Sequence, residues 1–231
     1  MGTNKPNHDG ADMASDRDFE QLYNNIHSCR KCPDVVWSIV PRRLDQVACG
    51  SSIVLMAQAP SEGGVRKSGV HWVGADGRLR RPGGTFLDKY LRQLGYSVDP
   101  KVAAYTRPYT TNVLHCWTGR SQTGNRDRKP TQTELQNCMP WWRRELQLVK
   151  PRVIILLGQP AAESFESIRG EHRSFRDLLS SQGERMEFGG LAMKRYVVPQ
   201  PTAPYPGKST IYQEVIDVVI LALKEKDPTR P

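Results

Sequence analysis

Four of the chain's five cysteines have a spacing that could hold a metal. Cys29 and Cys32 form a C-x2-C pair, whereas Cys116 and Cys138 stand singly and much farther along the chain. Four thiolates could hold one zinc ion or one iron–sulfur cluster. Alternatively, Cys116 and Cys138 are small buried hydrophobic residues. The odd count argues against a disulfide framework, and we interpret Cys49, which precedes an apolar run, as structural.

The apolar runs that position these residues alternate with helical patterns. Strands are predicted at 52–57, 109–114, 152–157 and 193–198. Helices are predicted at 16–28, 84–95, 131–149 and 211–224, and Pro140 is expected to kink or split the third. This alternation predicts an α/β three-layer sandwich with a central, mostly parallel four-stranded sheet. Ligands bind such sheets at the carboxyl ends of the strands.

Composition and charge narrow the class of protein. The 231 residues include 33 Lys and Arg against 24 Asp and Glu, a net charge of +9, which suits nucleic acid, an acidic partner or simple solubility. The apolar runs are too short to span a membrane. The N-terminus lacks a secretory signal, so we expect a cytoplasmic protein. A single domain over 16–225 is predicted, between tails at 1–15 and 226–231, and we expect a monomer.

Several segments, in one order, resemble the iron–sulfur uracil-DNA glycosylases, family 4 of that superfamily. They are HSCRKCP, SIVLMAQAPSEGG, GVHWVG, TTNVLHC, GNRDRKPTQTELQNCMPWWRREL and KPRVIILLG. The resemblance runs from about residue 19 to about residue 224. It implies a monofunctional DNA glycosylase that flips a base out of DNA and hydrolyses its N-glycosidic bond. It also implies a [4Fe–4S] cluster on the four cysteines, with zinc as the alternative.

The same resemblance assigns roles to individual residues. Trp72 lies where the family has an aromatic that stacks on the base, and Asn112 lies where it has a base-reading asparagine. A core tryptophan and a turn asparagine are the alternatives. Because an amide has one acceptor and one donor group, Asn112 could meet a uracil edge or, turned over, a cytosine edge. Asn125 matches another active-site asparagine.

Two positions depart from the family pattern. Gln58 stands where the first loop usually has an acidic residue, and Gln200 stands where the last loop usually has a histidine. We expect Gln58 or Glu62 to position the water, and Gln200 with Asn125 to act on the leaving base. Amides bind well and catalyse poorly, so a weakened enzyme or a non-catalytic binder of modified DNA is the alternative.

Small residues in the first loop predict a roomy pocket. Gly63 and Gly64 replace larger residues of the family, and Ala59 belongs to the same substrate-binding loop. We therefore expect a pyrimidine with a bulky 5-substituent, such as the hydroxymethylated or glucosylated cytosine of phage DNA, and an antiviral role. Repair of uracil or another deaminated base is the alternative.

Two further residues are expected to contact DNA. Tyr205 could wedge into the gap that the flipped base leaves, and Lys208 could hold a phosphate. Arg78, Arg80 and Arg81, in a Gly-rich insertion, could add phosphate contacts or form a solvated loop. A zinc-stabilised nucleic-acid module is the remaining alternative class.

Overall fold

The computed structural model describes residues 16–33, 35, 51–124 and 127–225. The predicted tails at 1–15 and 226–231 lie outside the described residues, as do Cys49 and Asn125. The predicted domain boundaries therefore stay a prediction. Within the described ranges, no helix is both long and apolar enough to cross a membrane.

A five-stranded sheet forms the centre of the fold, in the order β2-β1-β3-β5-β4. Its strands are β1 Ile53–Ala57, β2 Tyr109–Asn112, β3 Val153–Leu157, β4 Glu184–Phe188 and β5 Leu191–Val198. Four strands run parallel, with Val54 of β1 opposite Tyr109 on one side and Ile154 on the other, and β4 pairs antiparallel with β5. The predicted α/β class and mostly parallel sheet are confirmed.

The predicted count of four strands was one too low, because the edge strand β4 was missed. β4 and β5 form a hairpin in which Phe188 pairs with Leu191. Its two turn residues, Gly189 and Gly190, have φ values of 60° and 81°. A two-residue turn with positive φ at both positions suits the twist of a hairpin and favours Gly-Gly. This Gly-Gly pair was the sequence signal for the missing strand.

Helices cover both faces of the sheet and form the two outer layers of the sandwich. They are α1 Asp16–Ser28, α2 Val65–Ser68, α3 Gly83–Leu91, α4 Gln132–Val149, α5 Gln159–Ile168, α6 Phe175–Ser180 and α7 Lys208–Lys224. Alternate residues of β1 serve opposite cores, as the period of two in a strand requires. Val54 and Met56 pack in the core shared with α1, α4 and α5, whereas Ile53 and Leu55 pack with α3 and α7.

Helix α4 begins at a capping box, as predicted. The Thr131 hydroxyl accepts from the Glu134 N–H at 3.2 Å, and the Glu134 carboxylate accepts from the Thr131 N–H at 2.7 Å. Of the two outcomes predicted for Pro140, a split is wrong, since α4 is continuous past it, and a kink stays a prediction. Proline removes one backbone donor, and the remaining hydrogen bonds and the buried face of the helix compensate for that loss.

Candidate active site

The carboxyl ends of the parallel strands enclose a cavity of about 230 Å³. Its walls come from the segments that follow β1, β2 and β5, beside the point where the strand order reverses between β1 and β3. This is where open α/β sheets bind ligands. Six of the predicted site residues line it: Gln58, Ala59, Gly64, Trp72, Asn112 and Gln200.

Trp72 is held in the cavity wall by a strained backbone. Its φ is 65°, in the left-handed region that a bulky residue rarely adopts. Its carbonyl accepts from the Arg80 N–H at 2.8 Å. A Cβ on Gly84 would stand 2.9 Å from the same carbonyl oxygen, so the close packing there requires glycine. Strain of this kind persists where the surrounding contacts fix the residue, often at a binding site.

Asn112 ends β2 and is held by a histidine that sequence reasoning missed. Its Nδ2 lies 2.8 Å from Nε2 of His71, and His71 Nδ1 lies 3.1 Å from the Thr110 hydroxyl. Asn112 is only 5% exposed, and its Oδ1 has no hydrogen-bond partner among the described residues. The available signal for His71 was its position next to Trp72 in GVHWVG.

The two glutamines that replace family residues each lie against another segment of the chain. Gln58 Nε2 donates to the Arg128 carbonyl at 3.3 Å. Gln200 packs on Gly158, where a Cβ would come within 2.9 Å of the Gln200 Oε1. Gly158 also has a φ of 88°, so both its conformation and its close contact favour glycine.

An acidic residue that the sequence interpretation overlooked lines the cavity. Asp127 Oδ1 accepts from the Trp117 indole N–H at 3.0 Å and lies 3.5 Å from Arg120 Nη1. Glu62, the predicted carboxylate, instead forms an ion pair with Arg120 and is not among the cavity-lining residues. Asp127 stands two positions after Asn125, in a segment that the family resemblance covers.

Arg80 occupies the space beside the two loop glycines. A Cβ on Gly63 would stand 3.1 Å from Arg80 Nη2, and one on Gly64 would stand 2.4 Å from the Ser61 Oγ. Arg80 Nη1 donates to that same Ser61 Oγ at 3.3 Å. The room that the glycines leave thus holds a flexible guanidinium, and the volume open to a ligand depends on the position of Arg80.

The sequence profile of the Uracil DNA glycosylase superfamily matches residues 44–214. The chain belongs to this superfamily. The resemblance inferred from the loop motifs is thereby confirmed.

The relatives that are similar to this chain are named as two types of uracil-DNA glycosylase. A Type-4 uracil-DNA glycosylase from Archaeoglobus fulgidus is 31% identical over 147 residues, which are 63% of this chain and 62% of the relative. One from Sulfurisphaera tokodaii is 26% identical over 158 residues, 68% and 61% of the two chains. A Type-5 uracil-DNA glycosylase from Pyrobaculum aerophilum is 23% identical over 214 residues, 84% and 87%. The match covers less than two thirds of the two Type-4 relatives' lengths.

The two predicted DNA-contacting residues lie close together in the chain, Tyr205 in the loop before α7 and Lys208 at the first position of α7. Tyr205 is 37% exposed and meets Phe175 edge-on at 6.0 Å between ring centroids. Lys208 Nζ donates to the carbonyls of Pro201 and Ala203 at 3.1 and 2.9 Å, and lies 4.6 Å from the Phe86 ring centroid. Lys208 therefore shapes the loop that carries Gln200, and its phosphate contact stays a prediction.

The four cysteines of this superfamily member line one cavity, with Ile26, Leu114 and Trp141 as apolar neighbours. Burial and the nearby thiolates raise the pKa of the Cys116 thiol to about 11. Among the described residues, no group of three or more His, Cys, Asp and Glu side chains could hold one metal ion. A [4Fe–4S] cluster takes each thiolate on a different iron, so four thiols that line one cavity have the chemistry that it needs.

Proposed function

We propose that this protein is a monofunctional DNA glycosylase that hydrolyses the N-glycosidic bond of a flipped-out pyrimidine and leaves an abasic site. The observation that carries the proposal is the meeting of Trp72, Asn112 and Gln200, from three separate segments, on one cavity at the carboxyl edge of the sheet. A stacking ring, a base-reading amide and a donor for the leaving base are the parts that base excision requires.

Binding of the flipped base precedes cleavage of its N-glycosidic bond. Trp72 stacks on its face, at a fixed angle because the Trp72 carbonyl is tied to the Arg80 N–H. Asn112 reads the edge of the base, since it is buried and its Oδ1 is available. Stacking of a base on an aromatic ring contributes about 1–3 kcal/mol. Extrusion of the nucleotide costs a few kcal/mol, and these contacts offset it.

Bond cleavage then places positive charge on the sugar and negative charge on the departing base. The Gln200 amide donates to a carbonyl of the leaving base, where preorganised donors are worth most. The Asp127 carboxylate lines the cavity and stabilises the oxocarbenium-like sugar electrostatically. Gln58 positions the attacking water, and the ion-paired Glu62 is the alternative for this role. Asn125 assists Gln200 in acting on the leaving base.

We infer that the preferred base is a cytosine with a bulky 5-substituent. Arg80 and Arg81 line the cavity, and their guanidinium donors suit the hydroxyls of a hydroxymethyl or glucosyl group. Movement of Arg80 away from Gly63 and Gly64 would open room for that group. Such bases mark phage DNA, so excision would serve antiviral defence. Uracil, which the named relatives act on according to their names, is the alternative substrate.

A [4Fe–4S] cluster on Cys29, Cys32, Cys116 and Cys138 is proposed as the cofactor. The His115 N–H donates to the Cys138 sulfur at 3.2 Å, as suits a buried thiolate ligand. These thiolates would hold the cluster from three places, the segment that follows α1, helix α4 and the segment after β2. Iron and acid-labile sulfide in the purified protein, with little zinc, would support the cluster. Stoichiometric zinc without iron would show that the cysteines hold zinc instead.

DNA is the proposed partner. Tyr205 inserts into the base stack, and Lys208 and the arginines of the insertion contact phosphates. Phosphate contacts release counterions, so binding should weaken steeply as salt increases. An affinity for DNA that does not change with salt concentration would show that these residues do not contact phosphates. A monomer in the cytoplasm remains our expectation.

Base release from a panel of duplexes tests the proposed activity. Each duplex carries one uracil, hypoxanthine, 5-hydroxymethylcytosine or glucosylated 5-hydroxymethylcytosine, and alkali reveals the abasic sites. We expect the fastest release from the glucosylated base and a slower rate for Arg80→Ala. Arg185→Ala, on an exposed position of β4, is the matched control and should behave as the wild type.

A non-catalytic binder of modified DNA is the second candidate, because Gln58 and Gln200 are neutral where charged groups act in the family. Tight binding to the glucosylated duplex with no abasic sites in any duplex would support the binder and overturn the enzyme. Release confined to uracil and hypoxanthine would keep the enzyme and overturn the bulky substrate.

A further inference from the structure

The amide of Asn112 could face the base with either its oxygen or its nitrogen, and the two choices read different bases. An outward oxygen accepts from the amine at C4 of a cytosine. An outward nitrogen donates to the carbonyl at C4 of a uracil. Whatever fixes the amide therefore chooses the base.

His71 is placed to fix it. Its Nε2 lies 2.8 Å from Asn112 Nδ2, an atom that can only donate, so Nε2 accepts. The neutral imidazole then carries its hydrogen on Nδ1, which lies 3.1 Å from the Thr110 hydroxyl oxygen. Both ring nitrogens are thus matched to residues of β2, and His71 itself is 9% exposed. With the ring hydrogen on Nδ1, turning the amide over would set its oxygen against the Nε2 lone pair.

The amide oxygen is left for the ligand. Asn112 Oδ1 is buried and unpaired among the described residues, and Asn112 lines the cavity beside Trp72. Buried acceptors are almost always hydrogen-bonded in native proteins. An unpaired acceptor in a cavity wall therefore points to a donor supplied by the bound base. The exocyclic amine of cytosine is such a donor, and the O4 of uracil would be a second acceptor facing the first.

We propose that His71 is a specificity-determining positioning residue, which holds Asn112 with its oxygen toward the cavity so that the site selects cytosine-type over uracil-type bases. The inference rests on the proposed function, since it assumes that a flipped base meets Asn112. It goes further by identifying the group at C4, independently of the 5-substituent. A preference of about 10- to 100-fold corresponds to about 1.4–2.8 kcal/mol, within the range of about 1–3 kcal/mol that leaving a buried acceptor against a wrong partner costs.

The test compares bases that share a 5-substituent and differ only at C4. Duplexes carry 5-hydroxymethylcytosine or 5-hydroxymethyluracil, each with and without glucose. Single-turnover release and equilibrium binding are measured for both members of each pair. We expect the wild type to prefer the cytosine member by about 10- to 100-fold. Preference for the uracil member would overturn the inference while leaving the glycosylase function intact.

Variants assign the preference to His71. His71→Leu frees the amide to turn, so the cytosine-to-uracil ratio should fall toward one. His71→Gln supplies a side-chain oxygen that accepts from Asn112 and should restore much of the ratio. His172→Leu, an exposed histidine away from the cavity, is the matched control and should keep the full ratio. An unchanged ratio in a folded His71→Leu protein would overturn the inference.

The binding measurement separates this inference from the proposed reaction. If no duplex yields abasic sites, the glycosylase proposal fails, but the ratio of dissociation constants for the paired duplexes still reports on Asn112. Equal binding of both members by the wild type would overturn the role of His71 as well. Circular dichroism of every variant establishes that the fold is intact.

Discussion

Strand β2 separates two polar sites of opposite character. On one face, Tyr109 and Thr111 donate to the carboxylate of Glu145. On the other face, Thr110 and Asn112 contact His71. Successive residues of one short strand thus serve the two sites alternately, as the period of two requires.

The Glu145 site is saturated with partners. Glu145 is fully buried, and its Oε1 accepts from Tyr23 at 3.1 Å and from Tyr109 at 2.9 Å. Its Oε2 accepts from Thr111 and lies 3.1 Å from His115 Nε2. The His71 site instead leaves the oxygen of Asn112 unpaired among the described residues. A saturated buried network contributes to folding, whereas a buried acceptor without a partner is available to a ligand.

Removing the centre of the saturated site should have the largest effect on stability. Glu145→Leu removes the buried carboxylate that three buried hydroxyls share as an acceptor, so we expect the free energy of unfolding to fall by about 3–5 kcal/mol. Urea denaturation measures it. Glu187→Leu, on the exposed face of β4, should change it by less than about 0.5 kcal/mol. A loss below about 1 kcal/mol for Glu145→Leu would show that the network does not stabilise the fold.

On the ligand side, Gln200→Ala should slow base release by about 100-fold, because a donor to the departing base is lost. Its free energy of unfolding should stay within about 0.5 kcal/mol of the wild type. Gln136→Ala, an exposed glutamine of α4, is the matched control. Single-turnover kinetics with the best substrate of the panel provide the rate. A rate equal to the wild type would remove Gln200 from the reaction.

The two threonines of β2 permit the most direct comparison of the faces. Thr111→Val removes a donor to buried Glu145 and should lower stability by about 1–3 kcal/mol without changing base preference. Thr110→Val removes the partner of His71 and should reduce the cytosine-to-uracil ratio with a smaller loss of stability. Thermal unfolding and the paired duplexes give both readouts. If Thr111→Val changed base preference and Thr110→Val mainly lowered stability, the assignment of one face to folding and the other to base recognition would be contradicted.

The smallest effect is expected at the start of α4. Burial alone raises the pKa of Glu134, but hydrogen bonds from Arg128 and Thr131 outweigh it and the pKa lies below its ordinary value. A lowered carboxyl pKa stabilises the fold at neutral pH, and that contribution disappears as pH falls through the folded-state pKa. Glu134→Gln should therefore cost about 1 kcal/mol at pH 7. The difference should shrink in acid, as urea denaturation at several pH values will show; a pH-independent cost would assign it to packing.

Much of the fold could be predicted from the sequence because its signals are local. Apolar runs placed β1 and β3, and the Thr-x-x-Glu box placed the start of α4. Buried and exposed residues alternate along the missed strand β4, as is typical of an edge strand. In the sequence, only the Gly-Gly turn after it indicated a strand there. Pro140 does not split α4, because tertiary packing of the helix outweighs one missing hydrogen bond.

The candidate site was predictable only where a residue type is itself diagnostic. Trp72, Asn112 and Gln200 were identified from family motifs, and the cavity brings them together. Asp127 and Glu62 both pair with Arg120, but only Asp127 lines the cavity, because the folded loops decide which carboxylate reaches it. The roomy pocket expected beside Gly63 stays a prediction, and the sequence did not indicate that Arg80 occupies the space there.

The sequence by itself determined the alternation of strands and helices, the cysteine set and the membership of the superfamily, because periodicity, spacing and motif order are properties of the chain. Tertiary structure alone decided how the amide of Asn112 is turned. That choice depends on His71, 41 positions away, and on which face of β2 each residue occupies. Contacts between distant segments fix hydrogen-bond polarity, and no local pattern encodes them.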